Sequence, residues 1–351
     1  MNIPSLNPEE FLKQSAHCPV LDVRSPKEFA EGHIPGAISF PLFTDEERAV
    51  VGTLYKQEGR EKAIDKGLEI VGSKMAGFVQ QARAISNGKP LLVHCWRGGM
   101  RSGSMAWLLQ TAGLNVSTLK GGYKAYRGFI TEAVNQPRKY VVIGGMTGSG
   151  KTTLLYELKK IGEQVIDLEA MAHHKGSAFG SIGEQPQPTT EQFLNDLYEA
   201  LSKLDTEKVI WLEDESRNIG SVQLPETFYR NYRQAPLVIY NVPMEARLNN
   251  LVADYVLADK EILKTCFNKI ERKLGGQHLK AALQALDEND YHKAAAVALF
   301  YYDKAYKLGL DTKDTTQCFN LDAVSDNATE NAIAVKKLCY QQIVQLWKTT
   351  V

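Results

Sequence analysis

Tyr140-Val-Val-Ile-Gly-Gly-Met-Thr-Gly-Ser-Gly150-Lys-Thr152 decides how the second half of the chain folds. Four apolar residues predict a buried strand. A glycine-rich turn follows, and a helix is expected from about Thr152 to Ile161. Within it, Gly145, Gly148, Ser149, Gly150, Lys151 and Thr152 fill the pattern G-x-x-x-x-G-K-[ST], whose meaning depends on this strand-before, helix-after context. Backbone N–H groups of such a loop cradle a diphosphate, Lys151 adds a point charge, and Thr152 is placed to ligate Mg²⁺. A chance glycine-rich turn is the competing explanation, and the flanking strand and helix argue against it.

Downstream, Gln164–Leu168 and Val209–Leu212 read as further strands, and Glu191–Leu204 reads as a helix between them. A long Gly/Pro/Ser-rich loop spans His173–Thr190, and Pro236–Val242 is another strand. Acidic partners for the loop are Glu213 and Asp214, at the end of Val209-Ile-Trp-Leu-Glu-Asp-Glu215, and Asp167. Arg217 and Arg247 are candidates to close over a diphosphate. Base-recognition elements are lacking, so residue chemistry alone leaves ATP, GTP and a non-nucleotide diphosphate open. After Glu245 strand signals fade, and Ala281–Leu286, Lys293–Leu308 and Glu330–Trp347 predict a helical elaboration. The expected organisation is 1–135, a linker at Asn135–Arg138, a P-loop NTPase-like α/β domain over 136–244, and its helical extension over 245–351.

Working toward the N-terminus, Leu91-Leu-Val-His-Cys95-Trp-Arg-Gly-Gly-Met-Arg101-Ser102 repeats the logic with a thiol. A strand over Pro90–His94 ends at Cys95, and a helix is expected over Ser102–Ala112. Loop amides and the helix N-terminus make a positive concavity, which Arg97 and Arg101 reinforce. That setting favours the nucleophilic thiolate. The bland alternative is a small buried cysteine at a strand end. Around it, Pro19–Val23, Ala37–Phe40 and Val116–Leu119 read as strands and Gly67–Ser86 as one helix. Ser25-Pro-Lys-Glu28 is a capping box that starts another. Alternating strands and helices predict an α/β fold with a parallel sheet in each half.

The spacing His94-Cys95-x-x-Gly98-x-x-Arg101-Ser102 matches cysteine-dependent phosphatases and also resembles the rhodanese loop, here one residue longer. Leu21-Asp-Val-Arg24-Ser-Pro-Lys-Glu28-Phe-Ala-Glu-Gly-His33-Ile-Pro-Gly-Ala-Ile-Ser-Phe-Pro41 closely resembles the N-terminal signature of rhodanese domains, and Lys120-Gly-Gly-Tyr-Lys-Ala-Tyr126 their C-terminal segment. Asp22, Arg24, Glu28 and His33 are read as structural support for the loop.

Composition narrows the partners. Lys+Arg and Asp+Glu are both 41 in 351 residues, so the chain is not basic overall, and a nucleic-acid partner would need a local patch. One such patch lies in residues 260–280, where Lys260, Lys264, Lys269, Arg272, Lys273 and Lys280 face only Glu261 and Glu271. A solvated helix face is the alternative. Arg127, with Tyr123 and Tyr126, is a second candidate RNA contact, although packing is the simpler role for the tyrosines. No apolar run is long enough to span a bilayer, and no secretory signal opens the sequence. Five scattered cysteines without metal-ligand spacing suggest a reduced, cytoplasmic protein.

A rhodanese-like half followed by a phosphate-loop half, together with His174-Lys-Gly-Ser-Ala-Phe-Gly180 and Glu213-Asp-Glu-Ser-Arg-Asn-Ile-Gly220, resembles the tRNA 2-selenouridine synthases over almost the whole chain. The resemblance implies transferase activity on wobble 2-thiouridine of tRNA, at the anticodon. A geranyl group from geranyl diphosphate is first placed on sulfur, and selenium from selenophosphate then replaces it through Cys95. Substrates rather than tightly bound cofactors are implied, with Mg²⁺ possible and a selenophosphate-supplying synthetase as a possible partner. A competing enzyme class is a rhodanese-fold cysteine phosphatase fused to a small-molecule kinase.

Overall fold

The computed structural model describes residues 3–310 and 317–349. The chain divides into two compact units, Met1–Val134 with Leu194–Glu199, and Asn135–Phe193 with Ala200–Val351. Everything after residue 245 therefore groups with the phosphate-loop unit.

In the first unit, strands β1 (Ser5–Leu6), β2 (Val20–Asp22), β3 (Ile38–Ser39), β4 (Leu91–His94) and β5 (Val116–Leu119) form a sheet in the order β1-β5-β4-β2-β3. Every pairing is parallel. β4 is central, and all four of its residues are buried, as expected for a strand covered on both faces. The core joins Leu21, Val23, Leu91 and Val93 to Phe40, Phe78, Met105 and Leu109. Ser25 accepts from the Glu28 amide and Glu28 from the Ser25 amide, the capping box anticipated from sequence. The single helix expected over Gly67–Ser86 is instead two, Arg60–Gly72 and Met75–Ser86. The chain turns at Ser73 and Lys74, where the Lys74 ammonium binds the Glu47 carboxylate at 2.5 Å.

The second unit is built on β6 (Tyr140–Gly144), β7 (Gln164–Val165), β8 (Ile210–Glu213), the small hairpin β9 (Asn218–Ile219) and β10 (Val222–Gln223), β11 (Leu237–Asn241) and β12 (Cys318–Asp322). Its main sheet has the order β12-β11-β6-β8-β7, again all parallel. β6 is central, and the phosphate loop leaves its C-terminal end, where open α/β sheets carry their ligands. One expectation is corrected. β7 stops at Val165, because Asp167 accepts a hydrogen bond from the Ala170 amide and caps a new helix, Leu168–Ala172. The C-terminal segment is mostly helical, as expected, and Cys318–Asp322 adds an edge strand in register with Leu237–Asn241. Its last helices return to the sheet, with Val335, Cys339 and Ile343 joining Val141, Ile143 and Trp211 in one core.

Candidate active sites in the two units

Cys95 follows β4 directly and is buried. Its Sγ lies 3.2 Å from the hydroxyl of Ser102. The helix Met100–Thr111 begins at Gly99 with no side-chain cap, so its first amides are not claimed by a capping side chain. The loop is held from behind. Tyr123 N–H donates to the Cys95 carbonyl at 2.8 Å, and Lys124 N–H to that of Trp96 at 2.9 Å. Gly98 has φ +65°, and a Cβ there would lie 2.7 Å from the Leu119 carbonyl oxygen. On Gly122, at φ +63°, a Cβ would collide with Gly98 N and the Cys95 carbonyl oxygen. The Gly-Gly pair of Lys120–Tyr126 thus lets two backbones touch beneath the thiol.

The two arginines separate. Arg97 is exposed at the loop. Arg101, expected to meet a substrate anion, instead makes a two-point ion pair with Glu28 at 2.5 and 3.1 Å. Burial works against the Glu28 charge, but the bonds and field of Arg101 hold its carboxyl below the usual carboxylate range. Asp22 and Arg24 form a fully buried ion pair at 2.6 Å, with the guanidinium 3.8 Å from the Tyr123 ring centre. His94 is wholly buried; burial keeps it neutral, with its pKa lowered to about 4. His33 Nδ1 lies 3.1 Å from the Phe29 carbonyl, and its ring stacks on Phe29 at 3.9 Å. These groups order the loop's surroundings. Tyr123 and Tyr126 are buried in the packing, so neither offers a stacking face, and Arg127 on their helix is half-buried.

In the second unit the helix Lys151–Lys160 also starts from a glycine without a side-chain cap, Gly150 at φ +75°. Gly148, at φ +78°, faces the Arg247 carbonyl oxygen, which a Cβ would approach to 2.5 Å. Lys151 reaches back over the loop to the Gly145 carbonyl, 3.1 Å away. The Ser149 hydroxyl is buried and, among the described residues, without a hydrogen-bond partner. Register pairs Ile143 with Glu213, which sets Glu213 beside the start of the loop.

Glu213 is not alone there. One carboxylate oxygen each from Glu169, Glu213 and Glu215 lie within 4.8 Å of one another, and the Thr152 hydroxyl donates to Glu169 at 3.4 Å. Glu213 is fully buried, and neither of its oxygens has a hydrogen-bond partner among the described residues. Burial, then repulsion from the neighbouring carboxylate, pushes Glu169 up to about 8 and Glu215 up to about 7, and holds Glu213 well above the usual range. Lys151 opposes that rise in all three. Gly176, at φ +63°, lies against the group: a Cβ would stand 2.5 Å from Glu215 and 2.7 Å from Glu169. A hard divalent cation fits this donor set, with Thr152 beside it.

Other expected members lie elsewhere. Asp214 pairs with Arg233 at 2.9 Å, and Asp167 is spent as a helix cap. Arg217 pairs with Glu226 at 2.5 Å. Arg247 is buried; it grips Asp303 at two points, both 2.8 Å, and donates to the Thr147 carbonyl at 3.2 Å. It braces the loop from the protein side rather than closing over a ligand. Glu169 has no motif of its own in the sequence; the fold alone brings it to Glu213 and Glu215. On the helical segment Lys269, Arg272 and Lys273 are exposed, whereas Lys264 is taken by Glu261 and Asp287 at 2.9 and 2.7 Å.

A thiol at the end of a parallel strand in one unit and a phosphate loop in the other define a rhodanese-like domain joined to a P-loop α/β domain. The rhodanese-like domain model matches residues 7–128, and the model described as the tRNA 2-selenouridine synthase AAA domain matches residues 138–332. The chain belongs to the tRNA 2-selenouridine synthase family. Relatives of that name include one from Nitrosomonas europaea, 34% identical over 87% of this chain and 92% of its own length. Another, from Bdellovibrio bacteriovorus, is 36% identical over 86% and 77%. A third, from Bordetella petrii, is 37% identical over 82% and 86%. No helix among the described residues is long and apolar enough to cross a membrane.

Proposed function

We propose that this enzyme converts wobble 2-thiouridine of tRNA into 2-selenouridine in two steps, each served by one of the two loops. The observation that carries the reading is a buried thiol at an uncapped helix N-terminus in the same chain as a complete phosphate loop. In the first step the thiouridine sulfur attacks the first carbon of geranyl diphosphate, the C–O bond breaks, and diphosphate leaves. Loop amides and Lys151 stabilise the charge on the leaving group. Thr152, Glu169, Glu213 and Glu215 would hold Mg²⁺, which neutralises diphosphate charge when bound. In the second step the Cys95 thiolate attacks C2 of the S-geranyl nucleoside and geranyl thiol leaves; the selenium of selenophosphate then displaces Cys95 from that carbon, and water cleaves the Se–P bond so that phosphate departs, its charge met by the helix N-terminus and Arg97. A synthetase that makes selenophosphate supplies the donor, and Lys269, Arg272 and Lys273 contribute to holding tRNA.

Mass analysis of nucleosides tests this. tRNA carrying 2-thiouridine, incubated with the protein and both donors, should yield 2-selenouridine, and S-geranyl-2-thiouridine when selenophosphate is omitted. Unchanged 2-thiouridine with both donors present refutes it. Cys95-dependent turnover of a generic aryl phosphate would move the assignment to the phosphatase class.

A further inference from the structure

We propose that Asn195 is a positioning residue for the Cys95 loop, acting through Tyr123; this rests on reading Cys95 as the nucleophile of the second step. Asn195 lies far beyond the rhodanese-like stretch 7–128, on the helix Thr190–Ser202. The segment Leu194–Glu199 of that helix nevertheless belongs to the first unit, and Asn195 is fully buried. Its Nδ2 donates to the His33 carbonyl at 2.8 Å and to the Tyr123 hydroxyl at 2.7 Å. The His33 carbonyl can only accept, so it fixes which way the amide faces.

Tyr123 carries the constraint to the thiol. At one end its hydroxyl is held by Asn195, and at the other its N–H holds the Cys95 carbonyl at 2.8 Å. Between them its ring lies 3.8 Å from the Arg24 guanidinium and tilts against Trp96 of the loop at 5.8 Å. Arg24 in turn donates to the Gly32 carbonyl at 2.6 Å, next to the His33 carbonyl that Asn195 takes. Contacts thus close a ring from Asn195 through Tyr123, Arg24 and the Gly32–His33 turn back to Asn195. The amide is a poor choice for stability alone. Its Oδ1 is buried without a hydrogen-bond partner among the described residues, a desolvation cost that a leucine of the same branching avoids. What the amide supplies is a pair of donors that sets the tilt of Tyr123 and, through it, where the Cys95 backbone and the loop amides stand. A small displacement of a reacting group slows attack without weakening binding.

Asn195→Leu and Tyr123→Phe in the full chain test this, with S-geranylated tRNA and selenophosphate as substrates. Each should lower kcat for selenation about tenfold or more, with KM within about twofold of the wild type. The double variant should be no more than about twofold below the worse single one, because both remove the same hydrogen bond. Labelling of Cys95 by iodoacetamide, followed by peptide mass mapping, should slow in both variants. Geranylation of 2-thiouridine should stay within about twofold of the wild type, which also reports that each variant is folded. If Asn195→Leu does not fold, Tyr123→Phe, which keeps the ring and deletes only the hydroxyl, carries the test. Wild-type selenation or wild-type labelling in Tyr123→Phe overturns the positioning role and leaves Cys95 as the nucleophile. A raised KM at unchanged kcat, or single effects that multiply in the double variant, overturns it as well. Selenation by Cys95→Ser at the wild-type rate would instead remove the nucleophile reading on which the role rests.

Discussion

Glu169, Glu213 and Glu215 compete for the same desolvated space, and their protons belong to the group rather than to any one residue. With Glu169 raised to about 8 and Glu215 to about 7, the native state holds protons that the unfolded chain has already released near its ordinary carboxyl pKa of about 4.3. Between those limits the native state binds more protons, so stability falls as pH rises from about 4.3 to about 8. Glu169→Gln should flatten this slope, by on the order of 1 kcal/mol across the interval. Chemical denaturation at pH 5.5 and pH 8 measures it; equal slopes in variant and parent would show that the group is ionised in the native protein. A divalent cation must displace the same protons, so its affinity should rise over this range.

At the scale of elements, one helix offers an internal control. Gly122 and Gly128 both lie in Gly122–Val134. Gly122 is at φ +63° and pressed against the cysteine loop, while a Cβ on Gly128 meets open space. Gly122→Ala should destabilise by about 2 kcal/mol or more, combining backbone strain with a clash, and should impair selenium transfer. Gly128→Ala should stabilise by about 0.5–1 kcal/mol through helix propensity alone. Thermal unfolding of the pair decides it: a neutral Gly122→Ala would mean that the loop and this helix can separate at little cost. The phosphate loop has its own brace in Arg247 and Asp303, brought together from segments far apart in the chain.

For the whole molecule, two sites in one chain imply separable losses. Lys151→Ala should cut geranylation of 2-thiouridine by about a hundredfold or more, yet should still selenate tRNA supplied already S-geranylated. Cys95→Ser, nearly isosteric, should fold, geranylate and fail to selenate. Nucleoside analysis of each variant on each substrate reads the pattern, and loss of both steps in Lys151→Ala would show that the phosphate loop also positions tRNA. Reversing Lys269, Arg272 and Lys273 to Glu should weaken tRNA binding and lower its salt slope, by up to about three units in double-helical regions, with diphosphate binding unchanged. Equal affinity at two salt concentrations would leave those side chains a solvated face.

Local patterns determined a great deal. Strand, glycine turn and helix read correctly at both loops, because a buried parallel strand is a continuous apolar run and an anion-binding turn needs glycine. The capping box at Ser25 read correctly for the same reason, since its partners are three residues apart. Pairings between distant residues were not legible. Nothing near Glu169 in the chain says that it meets Glu213 and Glu215, and nothing near Arg101 says that Glu28 will take it. Arg217 and Arg247 looked alike as sequence, yet Glu226 claims one and Asp303 the other. Backbone propensity and turn chemistry act over a few residues and can be read there. The partner of a charge, and the desolvation that moves a carboxyl pKa, exist only once the sheet has set its strands side by side.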